Sequence, residues 1–187
     1  MSGYSRIRRQ QLLQEAQGYL DLIMAVPEQD TVRVVHCSRL AQRALEALDQ
    51  LDRNDCASGR VHFLRGQAYR LMEKHDLALN ALQKSSEYDP HNVRILLAQA
   101  WCFKRLGRLD LAIESLEDAL EIQGDVGILH YNLACYWSLL GNVGLSLVHL
   151  SRAIDLNAGY RQLVASEHDF DGLRSHPEFQ TLTNVSV

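Results

Sequence analysis

The sequence is short of the residues that staple small folds together. Its four cysteines (Cys37, Cys56, Cys102 and Cys135) stand far apart in 187 residues with no CxxC pair. A chain of this length does not need disulfides to hold a core, so four reduced thiols are expected. Proline is scarce at three residues, and with eleven glycines and no low-complexity run little material is left for linkers or disorder beyond the termini. No window approaches the ~18 uninterrupted apolar residues that a membrane helix requires. The opening MSGYSRIRRQQLLQEAQGYLDLIM breaks its apolar residues with Gln, Glu and Asp, unlike a signal peptide. A soluble, cytoplasmic protein with no membrane partner is expected. Positive charge is not in excess either: 19 Lys and Arg stand against 23 Asp and Glu, a net charge of −4, which weighs against a nucleic-acid partner. Arg6, Arg8 and Arg9 read as a solvated helix end. No carboxylate pair, nucleophile with its base, or phosphate loop stands out, so neither an enzyme nor a cofactor nor a metal is expected.

What the chain does have is a core, with 47% hydrophobic residues, and a repeat. The stretch HYNLACYWSLLG, His130 to Gly141, poses the question of whether its histidine, cysteine and aromatics form a reactive site or a packed helix. Self-similarity answers it. Tyr69, Phe103 and Trp137 are spaced by 34 residues, and the same offset relates Gly66, Ala100 and Ala134; Ala78, Ala112 and Ser146; Leu82, Leu116 and Leu150; Ser85, Ala119 and Ala153. Small residues fall in register with small and large with large. Within a unit the apolar spacing is helical, as in LAIESLEDALEI, where Leu111, Ile113, Leu116, Leu120 and Ile122 share one broad face. Turns marked by Gly107 and Gly141 make each unit a helical hairpin; the first unit has MEKHD there. A Gly or Ala where two helices cross lets their backbones approach.

These units resemble tetratricopeptide repeats, a 34-residue helix-turn-helix family with a small residue at the eighth position, an aromatic at the eleventh, and alanines at the twentieth and twenty-seventh. The resemblance implies an all-α fold, a right-handed α-solenoid with capping helices at both ends. The expected division is an N-terminal cap in residues 1–58, repeats at 59–92, 93–126 and 127–160, and a C-terminal cap in 161–187. Departures are His62, Leu96 and His130 at the usual first aromatic, and Ser146 at an alanine position. HYNLACYWSLLG then becomes the first helix of the third repeat. His130 and Cys135, five apart, lie off a common helical face with no second ligand pair, which argues against a metal or nucleophile.

Upstream, a helix is expected from near Asp30 or Thr31 to about Leu51, paired with one whose stripe is Leu12, Leu13, Ala16, Leu20 and Ile23, ended by Pro27. Downstream, Leu163, Phe170, Leu173, Phe179 and Leu182 would cover the last apolar face. SHPE reads as a capping box with Ser175 as N-cap.

Charge is segregated. Residues 59–72, 93–106 and 127–140, the first helices, carry Arg60, Arg65, Arg70, Arg94, Lys104 and Arg105 and no acid, whereas 75–88, 109–122 and 143–156 carry eight acids and two bases. In the family the first helices line the concave surface. The resemblance places Arg60, Phe63, Gln67 and Arg70 of the first repeat there, with Leu97, Trp101, Arg94, Lys104 and Arg105 of the second and Tyr131, Cys135 and Ser138 of the third. Cations around Trp101 suit a protein or peptide with acidic side chains and an apolar anchor. The clamp by which some relatives hold a chaperone's C-terminal carboxylate is absent, since its places hold Phe63, Gln67, Ala98, Ile128 and Asn132. The leading expectation is a non-enzymatic adaptor. A small secretion-type chaperone and a homo-oligomeric scaffold stay open as alternatives.

Overall fold

The structure, a computed structural model, describes residues 3–24, 33–51 and 58–183. The expected helix start at Asp30 or Thr31, Pro27 and Cys56 lie outside them. The described residues form helices and no strand, so the fold is all-α. By the packing of the chain it divides into two compact units, Met1–Cys102 and Phe103–Val187.

The first unit opens with α1 (Gly3–Met24) and α2 (Arg33–Asp49), which pack on each other. The expected stripe is inside: Leu12, Leu13, Ala16, Leu20 and Ile23 are buried, and Ala44, Leu45 and Leu48 of α2 meet them in the same core. Next come α3 (Gly59–Leu71) and α4 (His75–Ser86), an antiparallel pair, and α5 (Val93–Arg105), within which the division into units falls. Val61, Leu64 and Ala68 of α3 join the core of α1 and α2, and Arg65 reaches Asp49 of α2 at 2.8 Å. Ser58 caps α3, its hydroxyl accepting from the Val61 amide, as an N-cap serine should.

The second unit holds α6 (Leu109–Ile122), α7 (Gly127–Leu139), α8 (Val143–Leu156), the short α9 (Tyr160–Val164), a 3-10 turn at His168–Leu173, and α10 (Pro177–Thr183). Its core is built on Leu116, Leu129, Leu133, Leu150, Phe170 and Phe179, all at most 1% exposed. Two details differ from the sequence reading. Leu163 is half exposed and Val164 is buried in its place, because five residues of helix suffice to rotate the inward position by one. Helix α10 begins at Pro177 and the Gln180 amide donates to the His176 carbonyl, so the cap position falls on His176 rather than Ser175.

The period is visible in the backbone. Helices α3, α5 and α7 begin at Gly59, Val93 and Val126's neighbour Gly127, and each ends in the same two hydrogen bonds. The amides of Lys74, Arg108 and Asn142 donate to the carbonyls of Tyr69, Phe103 and Trp137, and those of Glu73, Gly107 and Gly141 to Arg70, Lys104 and Ser138. This is the Schellman closure, which needs a left-handed residue just past the helix. Gly107 and Gly141 supply it at φ 74° and 73°, and Glu73 takes φ 58° at the equivalent place. The small residues sit where helices touch: a Cβ added to Gly66 would lie 2.7 Å from Leu82, and Ala100 and Ala134 are fully buried. Ser146, the departure from alanine, is also fully buried and donates to the Ala134 carbonyl at 2.7 Å, so its hydroxyl carries no unmet polarity.

Candidate functional site

In the first unit the expected surface residues lie on α3 and α5. Arg60 and Arg94 are exposed, and Phe63, Gln67, Arg70, Leu97 and Trp101 are half-buried. The Arg70 guanidinium lies 5.1 Å over the Trp101 ring, its Nε donating to Gln67 Oε1 at 3.1 Å, while His75 meets the same indole edge-on at 5.3 Å. Burial lowers the Arg70 pKa and raises the nearby Cys102 thiol to about 11. Both directions follow from desolvation of the charged form. Arg94 lies over Phe63, at 5.2 Å. Beside that pair a cleft of about 300 Å³ is lined by Arg60, Phe63, Leu64, Asp89, Asn92, Arg94 and Ile95, with Gln17 and Ser85.

The second unit treats its share differently. Lys104 pairs with Asp169 at 2.5 Å and stands 5.9 Å from the Tyr136 ring; Arg105 is exposed. Tyr131, Cys135 and Ser138 are buried, at 5%, 2% and 8% exposure. Their cover is the chain itself. Tyr131 stacks on Tyr160 at 5.1 Å and meets Phe170 edge-on at 5.8 Å, and Ser138 donates to the Asp169 carbonyl at 2.7 Å. These three residues of the expected groove are therefore withdrawn from the surface by the C-terminal segment. Nothing local in the sequence points to it, because Lys104 and Asp169 are 65 residues apart.

Two clusters escaped the sequence reading. The donor atoms of Cys135, Glu167 and Asp169 lie within 4.8 Å of one another, a spacing a metal ion could use. One of its two carboxylates is already neutralised from within, since the Lys104 ammonium sits on Asp169, and burial, then the two carboxylates, push the Cys135 thiol upward, away from the thiolate a metal needs. The second is His130 and His149, whose Nδ1 atoms are 3.0 Å apart while His130 Nε2 meets the Gly124 carbonyl at 3.1 Å. A carbonyl can only accept, so His130 carries its proton on Nε2 and accepts from His149. Burial, and then the neighbouring His130, lower the pKa of His149.

A ladder of 34-residue helical hairpins, each closed by the same turn, defines a helical-repeat protein. The tetratricopeptide-repeat family's model matches residues 69–133 of the chain. Among solved structures, MamA (AMB-1) is 23% identical, the match covering 87% of this chain and 97% of that one with a TM-score of 0.59. MamA (MSR-1) is 22% identical over 85% of this chain and 99% of that one, with a TM-score of 0.60. YrrB, described as a TPR protein with an unusual peptide-binding site, is 20% identical over 71% of this chain and 65% of that one, with a TM-score of 0.57. A search of curated proteins finds no match. No helix among the described residues is long and apolar enough to cross a membrane.

Proposed function

We propose that this chain is a non-enzymatic adaptor that holds a segment of another protein in the concave groove of its repeat helices, on the face carrying Arg60, Phe63, Arg94, Leu97 and Trp101. The observation behind the reading is the charge of the helices. α3, α5 and α7 bear no Asp or Glu, whereas α6 alone bears Asp110, Glu114, Glu117, Asp118 and Glu121. A cationic strip with half-buried aromatics on an acidic protein favours acidic segments with an apolar anchor, chiefly by speeding encounter. The peptide site named for YrrB supports the same use of the fold here. Buried free thiols at Cys37, Cys102 and Cys135 suit a reducing compartment, and a cytoplasmic site is proposed with it.

The test is binding of acidic and basic peptide pools to the whole chain at two salt concentrations. Acidic peptides are expected to bind more tightly, with an advantage that shrinks as salt rises. Trp101→Ala should cost more than about 1 kcal/mol of that binding. Equal affinity for both pools, or a Trp101→Ala protein that unfolds rather than losing ligand, would sink the reading.

A further inference from the structure

The cleft in the first unit lies where two helices begin. Arg60 is the second residue of α3 and Arg94 the second of α5, so both guanidiniums stand at the positive ends of helix dipoles, where a carboxylate is the favoured neighbour and a cation the disfavoured one. Neither helix has an acid in its first turn. Local rules broken twice at one place mark a site whose compensation comes from elsewhere.

The other polar groups of the wall are already spent. Ser85 donates to the Gly59 carbonyl at 2.8 Å and Gln17 to Asp21 at 2.8 Å. The Asn92 amide donates to Asp89 at 2.7 Å, and its oxygen accepts from the Arg94 backbone at 3.0 Å. Among the described residues no carboxylate pairs with Arg60 or Arg94; the contact Arg94 makes is with the Phe63 ring. Two guanidiniums against the one carboxylate of Asp89 leave the wall a single positive charge in excess. Phe63, Leu64 and Ile95 give the cleft an apolar side.

We infer that this cleft receives one glutamate side chain of the bound segment, its carboxylate between Arg60 and Arg94 and its methylenes on Phe63 and Ile95. The inference rests on the adaptor reading and adds to it a position and a residue type. One negative charge matches the excess, whereas a phosphate's second charge would face Asp89 uncompensated. Guanidinium forks suit a carboxylate's two oxygens.

The experiment uses the full chain and immobilised peptides of mixed sequence with one fixed position, either Glu, Asp, Gln, Lys or phosphoserine. Glu peptides are expected to be retained about tenfold more tightly than Gln peptides, as for a charge-assisted bond lost. Arg60→Gln and Arg94→Gln should each erase most of that difference between Glu and Gln peptides. Arg94→Glu should shift preference toward peptides with Lys at the fixed position, with no loss of melting temperature, since an acid suits a helix start. Glu and Gln peptides retained equally, or arginine variants that bind as the parent does, overturn the cleft and leave the adaptor standing. Phosphoserine preferred to Glu overturns the single-charge match. If no peptide of any composition is retained, the adaptor reading itself fails and this one with it.

Discussion

The two compact units use the same hairpin to opposite ends. Residues 1–102 carry thirteen Lys and Arg against twelve Asp and Glu, and residues 103–187 carry six against eleven. In the first, the outward positions of α3 hold Arg60 and half-buried Phe63 beside an open cleft. In the second, the corresponding positions of α7 are Ile128 and Tyr131, and Tyr131 lies beneath Tyr160 and Phe170. Where the chain supplies its own acid and aromatic, as Asp169 and Phe170, the surface becomes core. Where no carboxylate pairs with them, as at Arg60 and Arg94, the cations stay exposed. Polarity at two or three positions thus decides whether a repeat face is filled from within or left for a partner.

Removing the cover is the strongest way to break that contrast. Phe170→Ala leaves a hole beside Tyr131 and Phe179 and should cost about 3–5 kcal/mol of stability. Urea melts measure the loss, and the Cys135 thiol should become open to labelling under native conditions. A variant that melts like the parent, with Cys135 still protected, would mean that the segment does not hold α7 closed. Next comes the helix crossing. Ala134 is fully buried and its carbonyl accepts from Ser146, so Ala134→Leu should overpack α7 against α8 at a cost of about 1–3 kcal/mol. An unchanged melting temperature would count against the register.

The turns sharpen the comparison from the other side. Glu73 holds φ 58° where Gly107 and Gly141 hold the same conformation without a Cβ. A left-handed residue other than glycine costs ~1–2 kcal/mol, part of which glycine returns through its freer unfolded chain. Glu73→Gly should therefore stabilise by about 1 kcal/mol and Gly107→Glu destabilise by a similar amount, both readable by thermal melting. A loss of stability in Glu73→Gly would mean that the glutamate side chain, not the turn, sets the balance there.

The smallest effect is the histidine pair. His149 titrates lower in the folded chain than its ordinary 6.5 because burial opposes its charge. The unfolded chain therefore binds the proton more readily, and stability falls as pH drops through about 6.5 toward the lowered value. His62 shifts in the same direction in the first unit. The contribution of the pair is the part of the acid slope that His149→Gln removes; an identical slope in that variant would refute it.

The period, the hairpins and the buried stripe of α1 were legible in the sequence because each rests on residues one to four turns apart or on an exact 34-residue offset. Glu73 was legible only as a missing glycine. Leu163 and Val164 exchanged roles because a helix of five residues is too short to show a face. The cover over Tyr131, Cys135 and Ser138 was not legible. The tail reads as a cap in general, but which side chains it buries depends on Asp169 meeting Lys104 and Ser138 across 65 and 31 residues, pairings no local pattern encodes. The two-arginine cleft was hidden for a similar reason, since Arg60 and Arg94 look like unremarkable members of a cationic strip until α3 and α5 bring their first turns together.

The closing segment has a consequence for the order in which the molecule is made. Tyr131 leaves the ribosome 39 residues before Phe170, and at ~5–20 residues per second that leaves α7 without its lid for roughly two to eight seconds. The α1, α2 and α3 core uses no residue after Met72 and can form while synthesis continues. Nascent chains arrested before Phe170 should therefore show a protease-resistant front and a sticky, chaperone-binding back.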